Sequence, residues 1–90
     1  MGFSGYILQS ELTGSFYVGQ TDDLAQRVVK HNRGEVRSTK PYRPWKLVYW
    51  KQFETRREAM AWEKQVKGRK HRAFIEKLIR EFTSERSAAR

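Results

Sequence analysis

Two tyrosines, an arginine and a histidine crowd the first third of the chain. Tyr6 lies in Ser4-Gly5-Tyr6-Ile7-Leu8 and Tyr17 in Phe16-Tyr17-Val18-Gly19-Gln20, with Arg27 and His31 close behind. These are the groups a phosphodiester site uses: a guanidinium pairs with phosphate oxygens, and a phenol or imidazole moves protons. One carboxylate for a hard divalent ion would complete such a centre. Taken singly, each residue has a plainer reading. A strand tyrosine is ordinarily a core or rim aromatic, and Arg27 and His31, four apart, ordinarily share the solvated face of a helix. Glu63 and Lys67, also four apart, ordinarily form a surface ion pair worth about 0.3–0.5 kcal/mol. The run Lys67, Arg69, Lys70, His71, Arg72 reads as a hydrated cluster between helices. Neither His31 nor His71 has partners at metal-ligand spacing.

The elements that must position these groups are readable from pattern. Tyr6-Ile7-Leu8 and Phe16-Tyr17-Val18 are short apolar runs separated by a turn signal at Thr13-Gly14, which predicts an antiparallel hairpin. The two-residue period lets both tyrosines lie on one face of it. A helix follows from Thr21-Asp22-Asp23, whose side chains suit the free amides of a first turn. Leu24 and Val28 form its buried stripe, Arg27 and His31 share another face, and Gly34 ends it. Residues 35–46 carry Pro41 and Pro44 among Arg37, Lys40, Arg43 and Lys46, a rigid basic loop. Tyr42 and Trp45 in that loop have the chemistry to stack on bases, although packing is the expected role of Trp45. Leu47-Val48-Tyr49-Trp50 marks a strand over residues 45–53, expected to be central or second-paired. Thr55 and Glu58 have capping-box spacing and open a helix with Ala59, Trp62 and Val66 inside and Gly68 at its end. A last helix from about residue 70 lines up Phe74, Leu78 and Phe82. Residues 83–90 lose this periodicity and read as a frayed tail, which leaves 1–82 as one domain.

Ninety residues without cysteine must be stabilised by packing alone, and 13% aromatics supply the bulk for it. No run is apolar or long enough for a membrane span or signal peptide, so a cytoplasmic protein is expected. The formal charge is +9 and unevenly placed: residues 27–72 hold fifteen Lys or Arg against four Glu, and the remainder sums to minus two. Concentrated positive charge is the footprint of a polyanion-binding surface. Nucleic acid is favoured over a lipid surface because no segment pairs a basic face with a broad apolar one. One core accounts for the apolar stripes, so a monomer is expected.

In their order, the tyrosine strand, the Tyr17-Val18-Gly19 strand, the helix with Arg27 four before His31, the next strand and a helix bearing Glu63 resemble the GIY-YIG nuclease superfamily. The resemblance runs from about Tyr6 to about Lys70 and is closest to its small stand-alone bacterial branch. Arg43-Pro44-Trp45-Lys46-Leu47-Val48-Tyr49 and Phe53-Glu54-Thr55-Arg56 also look like that branch. Three departures stand out: the first motif keeps only its tyrosine, Gln20 replaces a frequent lysine, and no asparagine follows Asn32.

The resemblance implies an α/β (α+β) sandwich, a three-stranded antiparallel sheet flanked by helices, and the order ββαβαα read from pattern agrees. It implies a metal-dependent endonuclease acting on DNA, with Tyr6, Tyr17, Arg27, His31 and Glu63 as catalytic residues and Gly19 giving the backbone room. Glu63 would hold one Mg²⁺ or Mn²⁺, Arg27 would clamp the phosphate, and Tyr6, its pKa lowered by neighbouring cations, would activate water. Arg37, Lys40, Arg43, Lys67, Arg69, Lys70 and Arg72 are the expected nucleic-acid contacts. With no second domain to read sequence, single-stranded, flap or branched DNA is expected, in repair, recombination or defence. The alternative is a binding module on the same scaffold that cleaves weakly or not at all.

Overall fold

The computed structural model describes residues 2–69 and 71–88. Strand β1 (Phe3–Ser10), strand β2 (Phe16–Thr21), helix α1 (Leu24–Arg33), a 3-10 turn (Lys40–Tyr42), strand β3 (Trp45–Phe53), helix α2 (Arg56–Arg69) and helix α3 (Arg72–Ala88) follow in that order. The strands form one antiparallel sheet in the order β2-β1-β3. This is the ββαβαα α+β arrangement expected from the pattern. The centre belongs to β1, however. β3, expected to be central or second-paired, pairs only with β1 and is an edge strand. The difference has a physical basis: β1 is buried at five consecutive positions, whereas most of β3 is half-buried or exposed.

The pleat of β1 divides the core in two. Tyr6 and Leu8 point to one face, where Trp45, Tyr17, Leu24 and Val28 close over them beneath α1. Ile7 points to the other, where Val18, Val66, Trp62 and the α3 residues Phe74, Ile75, Leu78 and Ile79 gather. Gly5 lets α2 come close, since a Cβ there would lie 2.4 Å from the Trp62 ring. Both ends of α1 and the start of α2 follow the sequence signals, whereas α2 runs through Gly68, expected to close it, to Arg69. Asp23 accepts the Gln26 amide at 3.1 Å, and Gly34 ends α1 at φ 81°. Thr55 and Glu58 form the reciprocal capping box of α2.

At the C-terminus the expectation needs correcting. Residues 83–88, read as a frayed tail, continue α3 as helix. The Arg86 guanidinium lies 4.5 Å over the Trp50 ring and 5.3 Å from that of Phe82, a long-range contact that composition does not display. No helix among the described residues is long and apolar enough to cross a membrane.

Candidate active site

The site begins with a cross-strand pair. Tyr6 on β1 faces Gly19 on β2, and the phenol passes directly over the glycine. A Cβ at Gly19 would lie 2.7 Å from Tyr6 Oη and 2.8 Å from its Cζ. Gly19 is therefore what allows the hydroxyl to reach past β2. Two residues back, Tyr17 emerges on the same face with its ring centroid 6.3 Å from that of Tyr6 and 4.9 Å from His31.

Helix α1 brings Arg27 and His31 onto this phenol. Arg27 Nε donates to Tyr6 Oη at 3.3 Å, and His31 Nε2 lies 3.0 Å from the same oxygen. His31 is fully buried, although its spacing suggested a solvated helix face; the Arg27 side chain is the half-buried one. The imidazole's other nitrogen, Nδ1, lies 2.8 Å from Oγ1 of Thr39, a buried residue that the sequence reading passed over. The loop holds Thr39 firmly: its carbonyl accepts Trp45 Nε1 at 2.9 Å, and Asn32 brackets the Trp45 backbone with bonds of 2.6 and 3.0 Å. Trp45 is buried, in keeping with a packing role, and Tyr42 is exposed.

Burial sets the proton affinities. Desolvation raises the Tyr6 phenol from 10.0 to about 12, outweighing the lowering hydrogen bond from Arg27, while the Tyr17 and Glu63 charges add to the rise. The lowered phenol pKa expected of a base is thus absent from the protein by itself. Desolvation, and after it the charge of Arg27, pushes His31 down from 6.5 to about 4. The Tyr6 phenol in turn raises the pKa of Arg27, which stays cationic.

Glu63 stands half-buried on α2 and receives Lys67 Nζ at 2.6 Å. Lys67 also lies 5.7 Å from the Tyr17 ring centroid, so this ion pair borders the tyrosine pair. Among the described residues no three His, Cys, Asp or Glu cluster as a metal cage. A single carboxylate suits a hard ion that takes its remaining oxygens from water and phosphate, and does not suit zinc. Beside Glu63 opens a groove of about 520 Å³ lined by Gln20, Arg57, Met60, Ala61, Lys64 and Lys67. Arg57 and Lys64 make no ion pair among the described residues and were not among the expected contacts.

The expected nucleic-acid contacts separate into two groups. Arg37 and Lys40 are exposed on the loop beyond α1, with Arg43 beside them donating from Nε to the Lys40 carbonyl at 2.8 Å. Arg69 stacks 4.8 Å over Phe74. Arg72 stacks 4.7 Å over Phe16, bonds the Gly14 carbonyl at 3.1 Å and pairs with Glu76. These two arginines stay exposed while also holding contacts within the fold. Lys70 lies outside the described residues.

Residues 3–78 match the family profile of the GIY-YIG catalytic domain. A UPF0213 protein of Staphylococcus saprophyticus is 42% identical over 55 residues, covering 60% of this chain and 67% of that one. A UPF0213 protein of Staphylococcus aureus is 46% identical over the same shares. The solution NMR structure of a UPF0213 protein of Bacillus halodurans superposes with a TM-score of 0.55 at 36% identity, covering 88% of this chain and 83% of that one.

Proposed function

Since the chain belongs to the GIY-YIG catalytic domain family, whose domain is a nuclease acting on nucleic acids, we propose that it is a metal-dependent DNA endonuclease directed to single-stranded, flap or branched substrates. The observation that carries this reading is the buried contact of Arg27 and His31 on one phenol oxygen above Gly19. A binding surface has no use for a buried tyrosine–histidine pair with a half-buried arginine on the same phenol oxygen. With Nε committed to Tyr6, Arg27 offers its terminal Nη groups to the phosphate, in a position to absorb charge that develops in the transition state. Tyr6 is the group that takes a proton from the attacking water. Tyr17 packs against both Tyr6 and His31 and fixes the width of the site. Glu63 is the residue that would hold Mg²⁺ or Mn²⁺, and the bound ion supplies Lewis-acid stabilisation of the leaving 3′ oxygen. Glu63 must first release Lys67, which is then free for the phosphate.

Labelled single-stranded, duplex, flap and branched DNA, incubated with Mg²⁺ or Mn²⁺ and with chelator, test the reading. Wild type is expected to cleave only with metal, and Glu63→Ala to abolish cleavage while still binding DNA. Cleavage unchanged in Glu63→Ala would overturn the role of the carboxylate. Binding without cleavage by the wild type would establish the binding-module alternative.

A further inference from the structure

Tyr6, His31 and Thr39 are 1%, 0% and 2% exposed, so every hydrogen they carry must find its acceptor inside the protein. Arg27 Nε has only a proton to give, which makes Tyr6 Oη the acceptor and turns the phenol's own O–H elsewhere. The atom within reach is His31 Nε2 at 3.0 Å. Were Nε2 protonated, it and Arg27 would both donate to Oη, and the phenol hydrogen would have no acceptor among the described residues. A buried orphan of this kind is costly. Nε2 is therefore the bare nitrogen and Nδ1 carries the hydrogen. That hydrogen meets Thr39 Oγ1 at 2.8 Å, and the hydroxyl passes its own to the Val36 carbonyl at 3.3 Å. The donors run one way, from Arg27 through Tyr6, His31 and Thr39 to a main-chain carbonyl.

We propose that Thr39 is a positioning residue: its hydroxyl, turned toward the Val36 carbonyl, accepts the Nδ1 hydrogen and so stabilises the His31 tautomer that aims a bare Nε2 at the Tyr6 hydroxyl. The tautomer follows from the buried geometry alone; its catalytic consequence rests on the nuclease reading. As Tyr6 Oη takes a proton from the attacking water, its own proton moves to Nε2. The hydroxide adds to phosphorus, the bond to the 3′ oxygen breaks, and that oxygen takes a proton from solvent. The imidazolium so formed donates from both nitrogens, to Tyr6 and to Thr39. The phosphodiester also sets its negative charge against Arg27, removing one of the two causes that hold His31 neutral. In the other tautomer the phenol proton would have nowhere to go.

Nitrogen-15 NMR of the histidine side chains reads the tautomer directly, with no need for metal or substrate. Wild type and Thr39→Ser are expected to show His31 bare at Nε2, and Thr39→Val, which strands the Nδ1 hydrogen, to populate the Nε2–H form beside it. In cleavage assays, Thr39→Val is expected to lower kcat about tenfold with KM unchanged, a fraction of the roughly 100- to 10,000-fold that a positioned base supplies. Thr39→Ser is expected to restore it. An Nε2–H tautomer in the wild type, or an unshifted one in Thr39→Val, would overturn the proposal. Should Thr39→Val fail to fold, the wild-type spectrum still decides. A wild type that shows the Nδ1–H tautomer but cleaves nothing would refute the nuclease reading and leave the positioning role standing.

Discussion

A fully buried imidazole is an acid-labile part of a small protein. In the unfolded chain His31 titrates near 6.5; in the fold, burial first and Arg27 second hold it at about 4. Its contribution to stability is complete above pH 6.5 and is lost as the pH falls through about 4, because protonation then favours the unfolded chain. The gap corresponds to roughly 3 kcal/mol. Urea unfolding at pH 7.5 and pH 4 should register this loss in the wild type, and His31→Gln should lose less, the remaining slope being that of carboxylates. Equal slopes in the two proteins would mean that His31 is already charged, or already wet, in the native state. Tyr6 acts at the other end of the scale. Its pKa is raised to about 12, so its contribution is complete below pH 10 and is lost as the pH climbs toward 12. Of these groups, Tyr6, Arg27 and His31 were legible from type and spacing, but their burial was not. Thr39 left no trace in the pattern, because it reaches the site by a loop whose conformation depends on Trp45 and Asn32.

Helix α1 and strand β3 are joined by one side chain that behaves as a strand neighbour. Asn32 Nδ2 donates to the Trp45 carbonyl at 3.0 Å, and Asn32 Oδ1 accepts the Trp45 amide at 2.6 Å. The clasp fixes where β3 begins and, through the Trp45 indole on the Thr39 carbonyl, where the loop returns beneath His31. Asn32→Ala strands a partly buried amide and carbonyl together, so a loss of about 2–3 kcal/mol is expected. Urea unfolding checks the magnitude, and hydrogen exchange at the Trp45 amide checks the location. An Asn32→Ala protein as stable as wild type would show that β3 is held by its ladder to β1 alone. The elements themselves were legible because hydrophobic period, Gly34 and the Thr55–Glu58 box are local signals. Which strand takes the centre is a long-range matter of burial, as is the persistence of α3 to Ala88. Local pattern carries neither.

Across the whole molecule, the charge of +9 bounds the class of partner but does not say which cations meet it. A basic run does not display that Arg72 also reaches Phe16 and Gly14, more than fifty residues earlier in the chain. The stacked Arg72 closes α3 onto the β1–β2 turn, whereas Arg57 and Lys64 face the groove beside Glu63 with no ion pair among the described residues. Removing each kind of cation should therefore have a different effect. For Arg57→Gln/Lys64→Gln, affinity for a single-stranded oligonucleotide should fall. The slope of log affinity against log salt should shrink by about 1.4, two charges at roughly 0.7 each. Thermal stability should stay close to wild type, because neither residue is stacked or paired among the described residues. For Arg72→Gln the order reverses: the melting temperature should drop while the salt slope changes little. Fluorescence anisotropy from 50 to 200 mM salt, with melting curves on the same samples, separates the two. If Arg72→Gln took the larger share of the slope, the binding path would run over the β1–β2 turn and α3 instead of the α2 groove, and Glu63 would lie at its margin.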